Sequence, residues 1–346
     1  MARGAERPTG AAFAALPVAV DAMGGDRAPG EIVTGSREAA EQGGIAVLLV
    51  GLPGGMGDTG GLPELHCSEV IGMDDDPGQG VRRKKDSSLV RAAEAVRDGR
   101  AMAMVSAGNT GATMASALLR MGRLPGVVRP AIATPIPNPG TGKPPTVLLD
   151  SGANAECNPQ MLVQFAQMGA AFARKRYGVD QPTVALLSIG EEKSKGTPLE
   201  KDTHALLAGG AGGVGFEFIG NVEGRDFFTG AADVIVTDGF TGNVALKTME
   251  GSMRFLIGAL TEILGRAHVS EAAEVLVPEL LPLAEALEPE GTGGAMLLGV
   301  DGVCVISHGS SSATAVRNAI TVAHDLAVDG LVAAVAQSVT EVAVPD

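Results

Sequence analysis

Asn243 and Lys247 stand one helical turn apart in DGFTGNVALK, so both side chains project from one face close to the positive end of a helix. An amide and an ammonium so placed are suited to holding an anion. Similar groups recur: Asn109 and Thr110 open a helix-like stretch after VSAG, Ser310 and Ser311 follow His308 in SHGSSS, and Lys193 and Lys195 follow Gly190-Glu191-Glu192. Taken singly, each pair is equally well explained by helix capping or a surface ion pair. Their recurrence is what points to a shared site for a small anionic substrate. His308 is the one ordinary acid–base group among them, although a lone histidine at a strand end more often serves as a hydrogen-bonded structural residue. The chain has no GxSxG elbow, no HExxH, no Walker sequence and no regularly spaced carboxylate pair.

The elements that must position these residues are six apolar runs, each stopping at a short Gly/Asp/Asn/Ser loop that opens onto helix-like sequence. They are 18–26 (VAVDAMGGD), 104–111 (MVSAGNTG), 147–156 (VLLDSGANAE), 184–192 (VALLSIGEE), 234–243 (VIVTDGFTGN) and 303–311 (VCVISHGSS). Strand-like runs alternating with helical periods predict an α/β fold with a mostly parallel sheet covered on both faces. In such folds ligands bind beyond the carboxyl ends of the strands, where glycine lets a ligand approach the main chain. Asp21, Gly24, Gly25, Ser106, Gly111 and Asp238 lie in these loops and join the candidate substrate-binding residues.

Asn158-Pro159 marks the clearest helix start, followed by Met161, Phe165, Met168 and Phe172 on one stripe that reads as core. Asp86-Ser87-Ser88 caps another helix that ends near Gly99. From Gly251 to Ala267, Met253, Leu256, Ile257, Leu260, Ile263 and Leu264 share one face, which suits burial against the core or a second subunit better than a membrane surface. Residues 251–290 are expected to form a projecting helical hairpin, 17–335 a single catalytic unit, 1–16 a disordered extension and 336–346 a tail. Of the two GxGxxG strings, the one within 209–215 lies between a helix and a strand in the reverse of the dinucleotide order, and the one within 51–61 follows a strand but opens no clear helix, so no NAD site is expected.

A length of 346 residues, 45% of them hydrophobic, is enough for a sizeable core. The net charge of −14 argues against nucleic-acid binding, which needs clustered Lys and Arg. Two local basic runs remain, Arg82-Arg83-Lys84-Lys85 and Arg174-Lys175-Arg176. Cys67, Cys157 and Cys304 are far apart and form no CxxC pair, so neither zinc nor a disulfide framework is indicated and a reducing cytoplasm is the expected setting.

VAVDAMGGDRAP, MDDDP with RRKKDSSL, VSAGNTGA, LLDSGANAECNPQMLVQFAQMG, LLSIGEEKSKG, FIGNVEGRD, DVIVTDGFTGNVALKTMEG and SHGSSSA occur in that order from about Val18 to Asn318. Across this span the chain resembles the bacterial acyl-[acyl-carrier-protein]:phosphate acyltransferases of phospholipid synthesis. The resemblance implies the three-layer α/β fold shared with phosphotransacetylases and isopropylmalate dehydrogenases, a homodimer, and transfer of an acyl group from acyl carrier protein to inorganic phosphate. It also implies a membrane-bound glycerol-3-phosphate acyltransferase as consumer of the product, and hence peripheral membrane contact. The stretch from Asp238 to Lys247 resembles the strand-to-helix substrate loop of phosphotransacetylases themselves. The first sixteen residues, Met296 in place of a usual proline, and the glycine-rich 51–61 segment depart from the family pattern.

A thioester is already activated, so such a reaction needs alignment and oxyanion stabilisation rather than a covalent enzyme intermediate, and it needs no cofactor or metal. On this reading Lys193, Asn243 and Lys247 complement charge, Asn109, Thr110, Ser310 and Ser311 hold phosphate, and His308 is an alternative proton donor to the thiol. An acidic carrier protein would dock on Arg82–Lys85 first and Arg174–Arg176 second. An acyl-coenzyme A phosphotransacetylase and a non-catalytic carrier-protein scaffold are the competing expectations.

Overall fold

The computed structural model describes residues 10–213, 215–287 and 289–339. Its strands are β1 (Val18–Asp21), β2 (Val47–Gly51), β3 (Glu64–His66), β4 (Ala103–Ser106), β5 (Ala131–Ile136), β6 (Thr146–Leu149), β7 (Thr183–Leu187), β8 (Glu217–Val222), β9 (Val234–Val236), β10 (Ala295–Leu298) and β11 (Val303–Ile306). The helices are α1 (Ala11–Ala14), α2 (Gly30–Gly43), α3 (Pro77–Arg83), α4 (Ser88–Arg97), α5 (Thr110–Arg120), α6 (Pro159–Tyr177), α7 (Pro198–Ala208), α8 (Gly239–Leu264), α9 (Ser270–Leu287), α10 (Ala313–Val328) and α11 (Leu331–Ser338).

All these strands lie in one sheet in the order β3-β2-β1-β4-β11-β10-β5-β6-β9-β7-β8. Only the three central pairings, β11 with β10, β10 with β5 and β5 with β6, are antiparallel. The fold is therefore α/β with a mostly parallel sheet, but its two parallel wings run in opposite directions. Registry nevertheless brings their ends together. Ala295 pairs with Ile306, Met296 with Ala133, and Ala133 with Leu149, so the last residues of β11 and β6 occupy neighbouring rungs at the middle of the sheet.

Side chains alternate across the pleat, and the core divides accordingly. On one face Val18, Val20, Val147, Leu149, Val184 and Val234 share a continuous cluster with α2, α6, α7, α10 and α11. Met161, Phe165, Met168 and Phe172 of α6 are buried there, as the helical stripe predicts. On the other face the core is broken in two. Ala19, Met104, Ile132 and Cys304 pack with α3, α4 and α5, whereas Ile136, Leu148, Ala185 and Ile235 pack with Phe227 and the first turns of α8. Between these clusters the central strands carry no covering helix.

Both ends of the chain pack on the core where the structure describes them. Residues 1–9 and 340–346 lie outside the described residues. The described end of the expected extension is not irregular: α1 forms one turn, and Phe13 and Leu16 pack on the core, because their apolar side chains find a partner there. The tail expected from 336 likewise begins inside α11, where Ala336 and Val339 pack on the same core. Met296 is buried in the middle of β10.

α8 and α9 extend as a helical pair whose apolar faces remain open, with Phe255 77% and Val275 71% exposed. Pro278 and Pro282 lie inside α9. Among the described residues no single helix is long and apolar enough to cross a membrane.

Candidate active site

The uncovered stretch of the sheet is the floor of a cavity of about 690 Å³. Gly108 and Thr110 come to it from the end of β4, His308, Ser310 and Ser311 from the end of β11, Ser151 from the end of β6, and Asn243, Lys247 and Arg254 from α8. Thr134 of β5 lies on the floor, its hydroxyl 2.6 Å from that of Ser151. Ile132, Ile136, Phe228, Leu246, Met249 and Met253 supply apolar wall.

α8 reaches this position through its first turn. Asp238 caps it by accepting from the Thr241 backbone N–H and hydroxyl, at 2.9 and 2.7 Å. Gly242 then rests on the β6 loop so closely that a β-carbon there would lie 1.9 Å from the Asp150 carbonyl oxygen. No other residue permits that approach. The β6 loop is itself held by the Asp150 carboxylate, which accepts from the backbone N–H of Ile132, Gly152, Ala153 and Asn154 at 2.8–3.1 Å. Burial pushes the Asp150 carboxyl above its ordinary range, while these donors oppose the shift. Asn243 consequently lies over Gly152, and Lys247 follows one turn later. The Lys247 side chain is 57% exposed, and its ammonium sits 2.8 Å from Glu250.

Of the expected site residues, Asn243, Lys247, His308, Thr110, Ser310 and Ser311 therefore meet in one place. Several others position the loops instead. Asp21 is buried and accepts from the Ser106 hydroxyl at 2.8 Å; burial raises its pKa against the lowering hydrogen bonds of Ser88 and Ser106. Gly24 lies where a β-carbon would approach Asp21 at 2.5 Å and the Gly108 nitrogen at 2.8 Å, and Gly25 lies against Ala107 and Gly309. These residues lock the β1, β4 and β11 loops to one another. Asn109 caps α5 and donates to the carbonyls of Met73 and Asp75, at 2.8 and 3.2 Å, so its side chain is fully engaged. Gly111 packs on Pro77, and Asp238 is spent on its own helix cap.

Lys193 does not line the cavity. It is exposed on the β7 loop, within the outer wing of the sheet, beyond β9 from the central gap. Ser310 and Ser311 also do not start a helix. Ser312 is the cap of α10, and the Glu31 carboxylate accepts from the Ala313 N–H at 2.6 Å, already occupying that helix end. His308 pairs with the Ser310 hydroxyl at 2.9 Å, and Ser311 is buried against Ser307 at 2.8 Å. The helix start facing the cavity is that of α5, where the Asn109 side chain takes the Ala112 N–H and Thr110 lines the cavity.

Thr134, Ser151 and Arg254 are the residues that sequence reasoning missed. Arg254 had a legible signal, since it follows Lys247 by two helical turns and so shares its face.

The basic runs also separate. α3 packs beside α5, and its N-terminal end meets Met73 and Asn109 at the cavity mouth. Since seven residues of helix rise roughly 10 Å, exposed Arg82 and Arg83 stand about that far from the mouth. Lys84 is tied to the Val70 carbonyl at 2.8 Å and to Asp75. Arg174, Lys175 and Arg176 close α6, on the opposite face of the sheet, where Arg174 donates to the carbonyls of Asp180 and Gly215.

None of the cysteines is poised as a thiolate. Burial pushes the thiols of Cys157 and Cys304 up to about 12, the Asp150 charge adding to the shift at Cys157, and burial also raises Cys67.

A family model described as "Fatty acid synthesis protein" matches residues 16–334. The chain belongs to that family. It is 46% identical to a phosphate acyltransferase of Heliobacterium modesticaldum, over 94% of this chain and 98% of the relative. A phosphate acyltransferase of an Anaeromyxobacter species is 48% identical over 93% of this chain and 91% of its own. Among solved structures, a phosphotransacetylase from Streptococcus pyogenes superposes with a TM-score of 0.60 at 16% identity, covering 91% of this chain and 94% of its own. A branched-chain phosphotransacylase from Enterococcus faecalis gives 0.56 at 15% identity, covering 90% and 99%. These two likenesses establish the fold, as the resemblance implied.

Proposed function

We propose that this phosphate acyltransferase relative transfers a fatty acyl group from the thioester of acyl carrier protein to inorganic phosphate, giving acyl phosphate and free carrier thiol. One observation carries the reading: a single cavity joins the start of α5 and two cations to an apolar wall. The names of the relatives support acyl transfer to phosphate, and the family description supports a fatty acyl substrate.

In the proposed reaction, an oxygen of hydrogen phosphate attacks the thioester carbonyl carbon. The tetrahedral intermediate collapses with cleavage of the C–S bond, and the phosphate proton ends on the departing sulfur. No external acid or base is consumed. The N–H groups that begin α5 and the Thr110 hydroxyl hold phosphate, with Lys247 and Arg254 offsetting its charge. Asn243 donates to the oxyanion that develops on the carbonyl, and His308 relays the proton to sulfur. Lys247 exchanges its Glu250 partner for the substrate anion.

Carrier protein is acidic, and Arg82, Arg83 and Lys85, exposed at the end of α3, supply the complementary charge. The exposed apolar faces of α8 and α9 support a homodimer paired through this hairpin, and the family resemblance supports action in the cytoplasm with delivery of acyl phosphate to a membrane-bound glycerol-3-phosphate acyltransferase. Co-sedimentation of the intact dimer with vesicles tests membrane contact, and no pelleting removes it.

The decisive experiment follows free carrier thiol on mixing acyl carrier protein thioester with enzyme, with and without phosphate. Release that depends on phosphate is expected; release at the same rate without it overturns the proposal. Faster turnover of acyl-coenzyme A of matched chain length would make the protein a phosphotransacetylase instead.

A further inference from the structure

The cavity is not symmetric. On the side of β4 and β11 it presents Thr110, His308 and Ser310, while on the other side Phe228, Leu246 and Met249 line it and also pack against the smaller core beneath α8. That core is dense: Phe227 is 1% exposed and Leu148 and Ile235 are fully buried. The wall there has no room to recede. Phe228 itself is half-buried, one side of its ring against the core and part of its surface in the cavity.

We infer that the acyl chain lies along β5 toward this wall, and that Phe228 sets the longest chain the enzyme accepts. The inference rests on the acyl-transfer reading above. With phosphate at the start of α5 and the thioester carbonyl beside Asn243, the apolar lining that runs from Ile132 to Ile136 along β5 and on to Phe228 offers the hydrocarbon a way out of water. A chain that ends short of the ring leaves apolar surface unfilled. One that overruns it meets a side chain backed by close-packed core.

A methylene gained or lost in an apolar pocket changes kcat/KM by roughly 10-fold or more. The test measures kcat/KM for a graded series of carrier-linked saturated acyl groups with wild type, Phe228→Ala and Phe228→Trp. Alanine is expected to raise the ratio of long-chain to short-chain kcat/KM about tenfold, and tryptophan to lower it about tenfold. A parallel change at every chain length, or none, in both variants overturns the assignment, because a merely structural role moves all substrates together. Should the alanine variant not fold, Phe228→Met and Phe228→Trp carry the same comparison. If wild type shows no phosphate-dependent thiol release at any chain length, the underlying acyl-transfer reading fails, and that is visible before any variant is made.

Discussion

The two faces of the sheet are built from the same alternating strands, yet one is sealed and the other is not. On the sealed face α6 lies flat across the strands, with Phe165, Met168 and Phe172 buried, and Gly169 so close to Val234 that a β-carbon would lie 2.6 Å from it. On the open face α8 is anchored only by its first turns and then leaves the sheet, so Asn243, Lys247 and Arg254 overhang an uncovered Thr134. Packing that is complete leaves nothing for a substrate to contact. The face that gives up helix cover over the central strands gains a site.

This contrast predicts that substitutions on the open face damage turnover and those on the sealed face damage stability. Lys247→Ala and Asn243→Ala should each lower kcat by about two to three orders of magnitude, the usual loss for one oxyanion-stabilising donor, while thermal unfolding stays near wild type; near-normal kinetics in both would remove α8 from the chemistry. Phe165→Ala should instead cost about 3–5 kcal/mol of unfolding free energy, with kcat of the folded fraction preserved. Denaturant titration beside active-site-normalised kinetics measures both, and a large kcat loss would dissolve the distinction.

Smaller effects sharpen it. Charge reversal at Arg82 and Arg83 should raise KM for the carrier-linked substrate about tenfold at low salt, and less at high salt. The same reversal at Arg174 and Arg176, across the sheet, should not. Equal effects from the two runs would show that docking ignores the cavity mouth. Lys193→Ala is expected to leave turnover near wild type, since the β7 loop lies off the cavity; a loss matching that of Lys247→Ala would bring Lys193 into the site.

The smallest effect concerns acid stability. The hydrogen bond from Lys84 holds the Asp75 carboxyl below its ordinary value of 3.8. A depressed carboxyl contributes stability above its unfolded value and loses it as pH falls through the lower folded one. Lys84→Met should therefore lower neutral stability slightly, by the amount the wild type gives up below about pH 4, so that the two proteins converge in acid. An acid limb identical to wild type would show that the pair contributes nothing.

Much of this arrangement was legible in local pattern. The six apolar runs are β1, β4, β6, β7, β9 and β11, because Val, Ile and Leu runs stopped by glycine loops leave little alternative to buried strands. Asn158-Pro159 and Ser87 cap the helices expected of them. The central antiparallel strands were not legible. β5 contains Pro135, which ordinarily argues against an interior strand, and β10 is four residues beside two glycines. The pairing of β10 with β5 joins residues far apart in sequence, so no local pattern announces it. Since β5 and β10 join the wings and floor the cavity, the same blindness hid Thr134 and Ser151. Loop glycines misled in another way: glycine marks close approach without saying to what, and at Gly24 and Gly111 the neighbour is another loop rather than a substrate.

Because the oppositely directed wings meet on the rungs of β5 and β10, the groups that surround the cavity come from Met73 in the first quarter of the chain to Ala315 near its end. Neither wing alone holds the whole set. A nascent chain therefore stays inert until its last strand threads between β4 and β10, and pairings this remote in sequence form slowly. Catalysis should switch on late and all at once during refolding, as a report that the sheet is whole.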